Sequence, residues 1–92
     1  MKTPKEYIDV LIQMLEEVPG NEFVFSTKTN IENFNIEDLK QIAFDQGYIF
    51  SEAKDLKNIK LPKYTKQNCY VLYKASWFNS LWGVFSFPKT YF

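Results

Sequence analysis

The chain has 92 residues, 46% hydrophobic and 18% aromatic, with eleven lysines balancing eleven carboxylates and no histidine. That length suits one domain, which buries about two thirds of the surface its unfolded chain exposes. The single cysteine, Cys69, excludes an internally disulfide-stapled scaffold, and no run approaches the ~18 apolar residues of a membrane span.

Thr3-Pro4-Lys5-Glu6 places proline at the first helical position and Glu6 at the third, a capping box. Tyr7, Ile8, Leu11, Ile12, Met14, Leu15 and Val18 follow at helical spacing, with Asp9, Gln13, Glu16 and Glu17 on the other face. Pro19-Gly20 ends this docking helix. Lys2 and Lys5 lead into an amphipathic rather than a continuously apolar stretch, so no signal peptide is expected and the expected location is the cytoplasm.

Glu22 to Lys28 alternates as a strand with Phe23 and Phe25 inward. Thr29 to Phe34 is a polar connector anchored by Ile31 and Phe34. Asn35 caps a second helix, with Glu37 and Asp38 in its first turn, where the helix dipole favours negative charge. Its buried stripe is Ile36, Leu39, Ile42 and Ala43, and Gly47 stands at a left-handed C-cap. Tyr48, Ile49 and Phe50 cross a corner. Ser51 then reads as the cap of a third helix through Asn58, with Ala53 and Leu56 inward. Ile59 to Pro62 leads out in extended form.

Lys63 to Asn68 reads as a polar loop, and Cys69 to Ala75 as a strand apolar on both faces. Ser76 to Gly83 suits either one helical turn or an aromatic hairpin. Val84 to Phe87 reads as a last strand closed by Pro88. The expected fold is one α+β domain, winged-helix-like, in the order helix, strand, helix, helix, strand, turn, strand. Leu39, Ile42, Ala43 and Leu56 are expected to share a core with Leu11 and Leu15.

Ala43, Gly47, Ala53 and Leu56 have the spacing of a helix-turn-helix: a small residue for close approach, glycine for the turn, and two apolar residues seating the second helix. That second helix exposes Glu52, Lys54, Asp55, Lys57 and Asn58, a mixed face. Arginine, the commonest specific reader of guanine, is absent.

Residues 38–56 resemble the conserved end of nitrogen-fixation-type leader-peptide domains. The match is a leucine-bearing helix running into Ala43-Phe44-Asp45-Gln46-Gly47-Tyr48, then Ile49, Ser51 and the acidic residues before Leu56. The Gly-Gly or Gly-Ala cleavage signal of that family is missing. The resemblance implies recognition by another protein and no catalysis.

Charge is distributed unevenly. All eleven carboxylates lie between Glu6 and Asp55, while Lys57 onward carries six lysines and no acid. Lys54, Lys57, Lys60, Lys63, Tyr64 and Lys66 are the candidate nucleic-acid contacts, with Tyr70, Tyr73, Lys74 and Trp77 extending a strip suited to bases and phosphates. The favoured reading of that strip is a loop of solubilising lysines with Tyr70 or Tyr73 packing inward, because the rings lie in a strand apolar on both faces. Trp77, Phe78 and Trp82 are the candidate protein-binding patch. The alternatives separate on geometry. A nucleic-acid surface needs the lysines on one exposed face away from the first helix, whereas a protein-recognition module would scatter them or pair them with carboxylates.

No catalytic residues, cofactor or metal ligands are expected. Without histidine the usual base for a serine or cysteine nucleophile is missing, one cysteine cannot build a zinc site, and the three glycines are isolated stops. The expected function is a small non-enzymatic protein-recognition or regulatory module, with winged-helix-type nucleic-acid binding as the alternative. A protein partner ranks above nucleic acid, no membrane partner is expected, and a homodimer stays open. Lysine as the only strong base, with many Asn, Ile and Phe, matches bacterial or phage usage.

Overall fold

A computed structural model describes residues 2–20, 22–57, 59–76 and 90–91. Helix α1 (Pro4–Glu17) begins as its sequence requires: the Thr3 hydroxyl accepts from the Glu6 N–H, and the Glu6 carboxylate accepts from the Thr3 N–H. The Thr3 N–H, and after it the Thr3 hydroxyl, hold the Glu6 carboxyl below its ordinary pKa. Strand β1 (Val24–Thr27) follows, then a 3-10 turn (Thr29–Ile31) and helix α2 (Ile36–Asp45), where the Glu37 and Asp38 N–H groups donate to the Asn35 side chain. Gly47, with φ +88°, closes α2 in the left-handed conformation, its N–H donating to the Phe44 carbonyl at 3.0 Å.

Past Gly47 the structure departs from expectation. Residues 48–52 form strand β2 (Tyr48–Glu52), and a 3-10 turn (Ala53–Asp55) stands where the second helix of the pair was expected. Tyr48, Ile49 and Phe50 are aromatic or β-branched and fit a pleated surface. An eight-residue helix over 51–58 would have offset little of its nucleation cost. The helix-turn-helix pair is therefore not formed, and Gly47 turns a helix into a strand. Lys63–Asn68, expected as loop, is helix α3; the Asn68 amide donates to the Tyr64 carbonyl at 2.9 Å. The helix has a single buried residue, Thr65, so no apolar stripe marked it.

Strand β3 (Cys69–Lys74) pairs antiparallel with both β1 and β2, and β4 (Thr90–Tyr91) runs parallel to β1, giving the order β2-β3-β1-β4. The expected strand at Val84–Phe87 lies outside the described residues. The protein is a small α+β domain, and its sheet is covered on both faces. Val24, Phe50 and Leu72 face α1 and α2, packing with Tyr7, Ile8, Leu11, Leu15, Leu39 and Ala43. Neighbours of opposite parity, Phe23, Phe25, Val71, Tyr73 and Cys69, face the other way and pack under Ala53, Leu56, Ile59 and Leu61.

Leu56 is buried as expected, but in the second cluster rather than beside Leu11 and Leu15. Ser26, fully buried on the helix face, is hydrogen-bonded to the Tyr7 hydroxyl, so the polar atom it brings into the core has a partner. Ile31 is buried and the Phe34 ring lies 5.0 Å from that of Tyr7, so both expected anchors of the connector do pack.

Candidate functional site

The segment from Ala53 to Asn68 is the lid over the second face of the sheet. It follows no single period: Ala53, Leu56, Ile59, Leu61 and Thr65 turn inward at uneven intervals and are all buried. The described residues between them turn outward. Lys54, Lys57, Lys60 and Lys63 are exposed and Lys66 is half-buried. On α3, at 100° per residue, inward Thr65 sets Lys63 straight out and places Tyr64 and Lys66 on opposite flanks. Tyr64 is 70% exposed.

This lid carries five lysines and one carboxylate, Asp55, whereas α1 and α2 across the sheet carry seven carboxylates and two lysines. The sheet thus separates an acidic layer from a basic one. Of the lid lysines, Lys54 alone is paired among the described residues, to Glu52 at 3.3 Å, and Glu52 also holds Lys28 at 3.2 Å. Among the described residues no carboxylate lies within ion-pair distance of Lys57, Lys60, Lys63 or Lys66. The six residues expected as nucleic-acid contacts therefore share one outward layer away from α1. The strand rings of the strip do not join them and pack inward instead, as a strand apolar on both faces leads one to expect. Tyr73 is buried, its ring 5.6 Å from that of Phe23, and Tyr70 stacks on Phe50 at 5.3 Å. Trp77, Phe78 and Trp82 lie outside the described residues.

A second surface was not visible in the sequence reading. Phe44, 67% exposed, stands off the buried stripe of α2 and borders a cleft of about 270 Å³ with Glu37, Lys40, Gln41, Ile49 and Phe50. The available signal was an aromatic residue one step out of register with Leu39 and Ala43. The cleft runs beside β2, which is an edge strand among the described residues. Ala75 donates to the Gly47 carbonyl, so alternation along the antiparallel ladder turns the backbone groups of Tyr48, Phe50 and Glu52 away from β3.

At the far end of the sheet, the Tyr48 hydroxyl donates to Glu16 at 2.5 Å, and Lys74 pairs with the same carboxylate at 3.2 Å. Burial, then the hydrogen bond to Glu16 and its charge, pushes the Tyr48 phenol up to about 12, while Tyr48 and Lys74 hold Glu16 below its usual range. Burial pushes the Cys69 thiol up, the opposite of what an activated nucleophile needs. Among the described residues no three His, Cys, Asp or Glu side chains are grouped to hold a metal, and no helix is long and apolar enough to cross a membrane.

No protein-family model, no curated protein and no solved structure matches this chain.

Proposed function

We propose that the protein is a non-enzymatic binding module that holds nucleic acid on its lysine face. The observation carrying this is the layer of Lys57, Lys60, Lys63 and Lys66, unpaired with any described carboxylate and separated by the sheet from the acidic helices. Phosphates meet four free ammonium groups there. The acidic layer on the opposite side repels them and so fixes which face docks.

Lysine acts as a point charge and reads no base edge, so this surface grips backbone rather than sequence. The test is fluorescence anisotropy of a labelled oligonucleotide across a salt series. The expected result is micromolar binding at low salt that falls with a log–log slope of about −3 for four lysines on a single strand. Replacing Lys57, Lys60 and Lys63 together by glutamate should abolish it. Failure to bind at low salt, or indifference to those substitutions, refutes the proposal.

A second reading, protein recognition, is favoured by the cleft between α2 and β2. An extended segment of a partner would add as a strand beside Tyr48, Phe50 and Glu52 and set an apolar side chain against Phe44 and Ile49. The resemblance of residues 38–56 to leader-peptide domains points the same way. Affinity capture from source-cell lysate with and without nuclease separates the readings. Partners that survive nuclease and are lost on Phe44→Asp belong to the cleft; partners lost with nuclease belong to the lysine face.

A further inference from the structure

Tyr64 is the one aromatic side chain of the basic lid, and among the described residues its ring packs into no part of the core. Its neighbours in the sequence strip do pack: Tyr70 is stacked on Phe50 with planes 10° apart, and Tyr73 is 4% exposed. Tyr64 is 70% exposed and packs against no other ring among the described residues. Its backbone is nevertheless fixed. The Tyr64 carbonyl accepts from the Asn68 side chain at 2.9 Å, and adjacent Thr65 is buried beneath it.

The ring is therefore held at the surface by an ordered turn, with Lys63 and Lys66 on the same short helix and Lys60 just before it. A flat exposed ring with Lys63 next to it on the helix and Lys66 on the opposite flank, its backbone already ordered, suits the exposed face of a nucleobase and loses little backbone entropy in taking one. In a duplex the bases are stacked on one another and offer no such face.

We infer that Tyr64 is a stacking platform and that the lysine face selects single-stranded over duplex nucleic acid, one base resting on the ring while Lys60, Lys63 and Lys66 hold the flanking phosphates. The inference rests on the lysine face being the binding surface, and the following test separates the two. The full chain is titrated with three fluorescein-labelled probes of equal length: oligo-dT, an abasic strand with the same phosphates and no bases, and a duplex.

The wild-type protein should bind oligo-dT about tenfold or more tightly than the abasic strand. Tyr64→Ala should bring the two to parity without weakening the abasic complex, and Tyr64→Phe should keep the preference. Equal binding of oligo-dT and the abasic strand by the wild type, a preference that survives Tyr64→Ala, or a preference for duplex overturns the stacking inference and leaves the lysine face standing. Absence of salt-sensitive binding to all three overturns both. The exposure of Tyr64 means that Tyr64→Ala removes no core contact, and an unchanged unfolding midpoint confirms that the variant is folded.

Discussion

The two faces of the sheet are covered by different kinds of structure. On one, α1 and α2 lay long apolar stripes over Val24, Phe50 and Leu72, satisfy their backbone within regular turns, and present carboxylates to solvent. On the other, a 3-10 turn, an extended run and a six-residue helix set Ala53, Leu56, Ile59 and Leu61 over Phe23, Phe25 and Val71. The first layer is built to hold the sheet. The second buries unevenly spaced side chains, keeps few regular backbone bonds and carries the lysines that no described carboxylate pairs. Regions of this kind open at lower free energy than the core and commonly carry binding surfaces.

The largest expected effect tests that division directly. Leu11, fully buried between α1 and the sheet, should cost about 2–5 kcal/mol when cut to alanine; Leu61, 9% exposed at the rim of the lid, should fall at or below the lower end. Denaturant unfolding of the two variants measures the difference. Equal losses would break the comparison and make the lid as integral as α1. Amide exchange sharpens it: residues 53–68 should exchange faster than residues 7–15.

The next effect falls at the joint where the chain passes from the helix layer into the sheet. A Cβ added at Gly47 would meet nothing within 4 Å, so any cost of substitution there is backbone strain alone at φ +88°. Gly47→Val should lose more than about 1 kcal/mol, and Gly47→Asn clearly less, since asparagine tolerates the left-handed region. Thermal unfolding decides it, and equal losses for the two would point to packing instead.

The same contrast explains what was legible in the sequence. Helix α1 has 14 residues with a capping box and α2 has 10 with an asparagine cap, lengths over which a stripe such as Leu11–Leu15 or Leu39–Ala43 declares itself. The glycine at 47 was readable for the same reason, because it follows a periodic run. In the lid, the intervals between Ala53, Leu56, Ile59, Leu61 and Thr65 match neither helix nor strand. Ser51 looked like a cap because serine caps helices, while its position opposite Val71 is a property of the sheet register and is invisible locally. Lys54 through Lys66 could be named as a group from composition alone. That they share one outward layer follows only from the lid's fold, and Phe44 emerged only once α2 had a buried side.

A smaller effect concerns the link between α1 and the sheet. Glu16 is held low by the Tyr48 hydroxyl and Lys74, so its contribution is present above the ordinary carboxylate pKa of 4.5 and is lost as pH falls through its lowered value. Tyr48 is raised from 10.0 to about 12, so its contribution is complete below pH 10 and is lost between pH 10 and 12. Tyr48→Phe should therefore flatten both limbs of the stability profile relative to the wild type. Urea midpoints at pH 3.5, 7 and 11.5 would show it, and parallel profiles for the two proteins would exclude the link.

The smallest expected effect is a gain. Glu22 precedes the buried Phe23 and lines a cleft of about 240 Å³ with Leu15, Val18 and Lys74. Its Oε2 is buried without a hydrogen bond among the described residues, and burial raises its pKa. A carboxyl raised in the folded state is a net cost once ionised: the cost is absent at pH values below the unfolded pKa of 4.5 and complete above the folded one. Glu22→Gln keeps the shape and removes the charge, so it should raise the unfolding midpoint at pH 7 and leave it nearly unchanged at pH 4. Much of the side chain remains in water, which screens the charge and keeps the gain to a few tenths of a kcal/mol. A gain of the same size at both pH values would trace to the amide's own hydrogen bonds. A loss at pH 7 would mean that the Glu22 carboxylate contributes favourably to the fold, and the acidic layer would then include a stabilising charge at the start of β1.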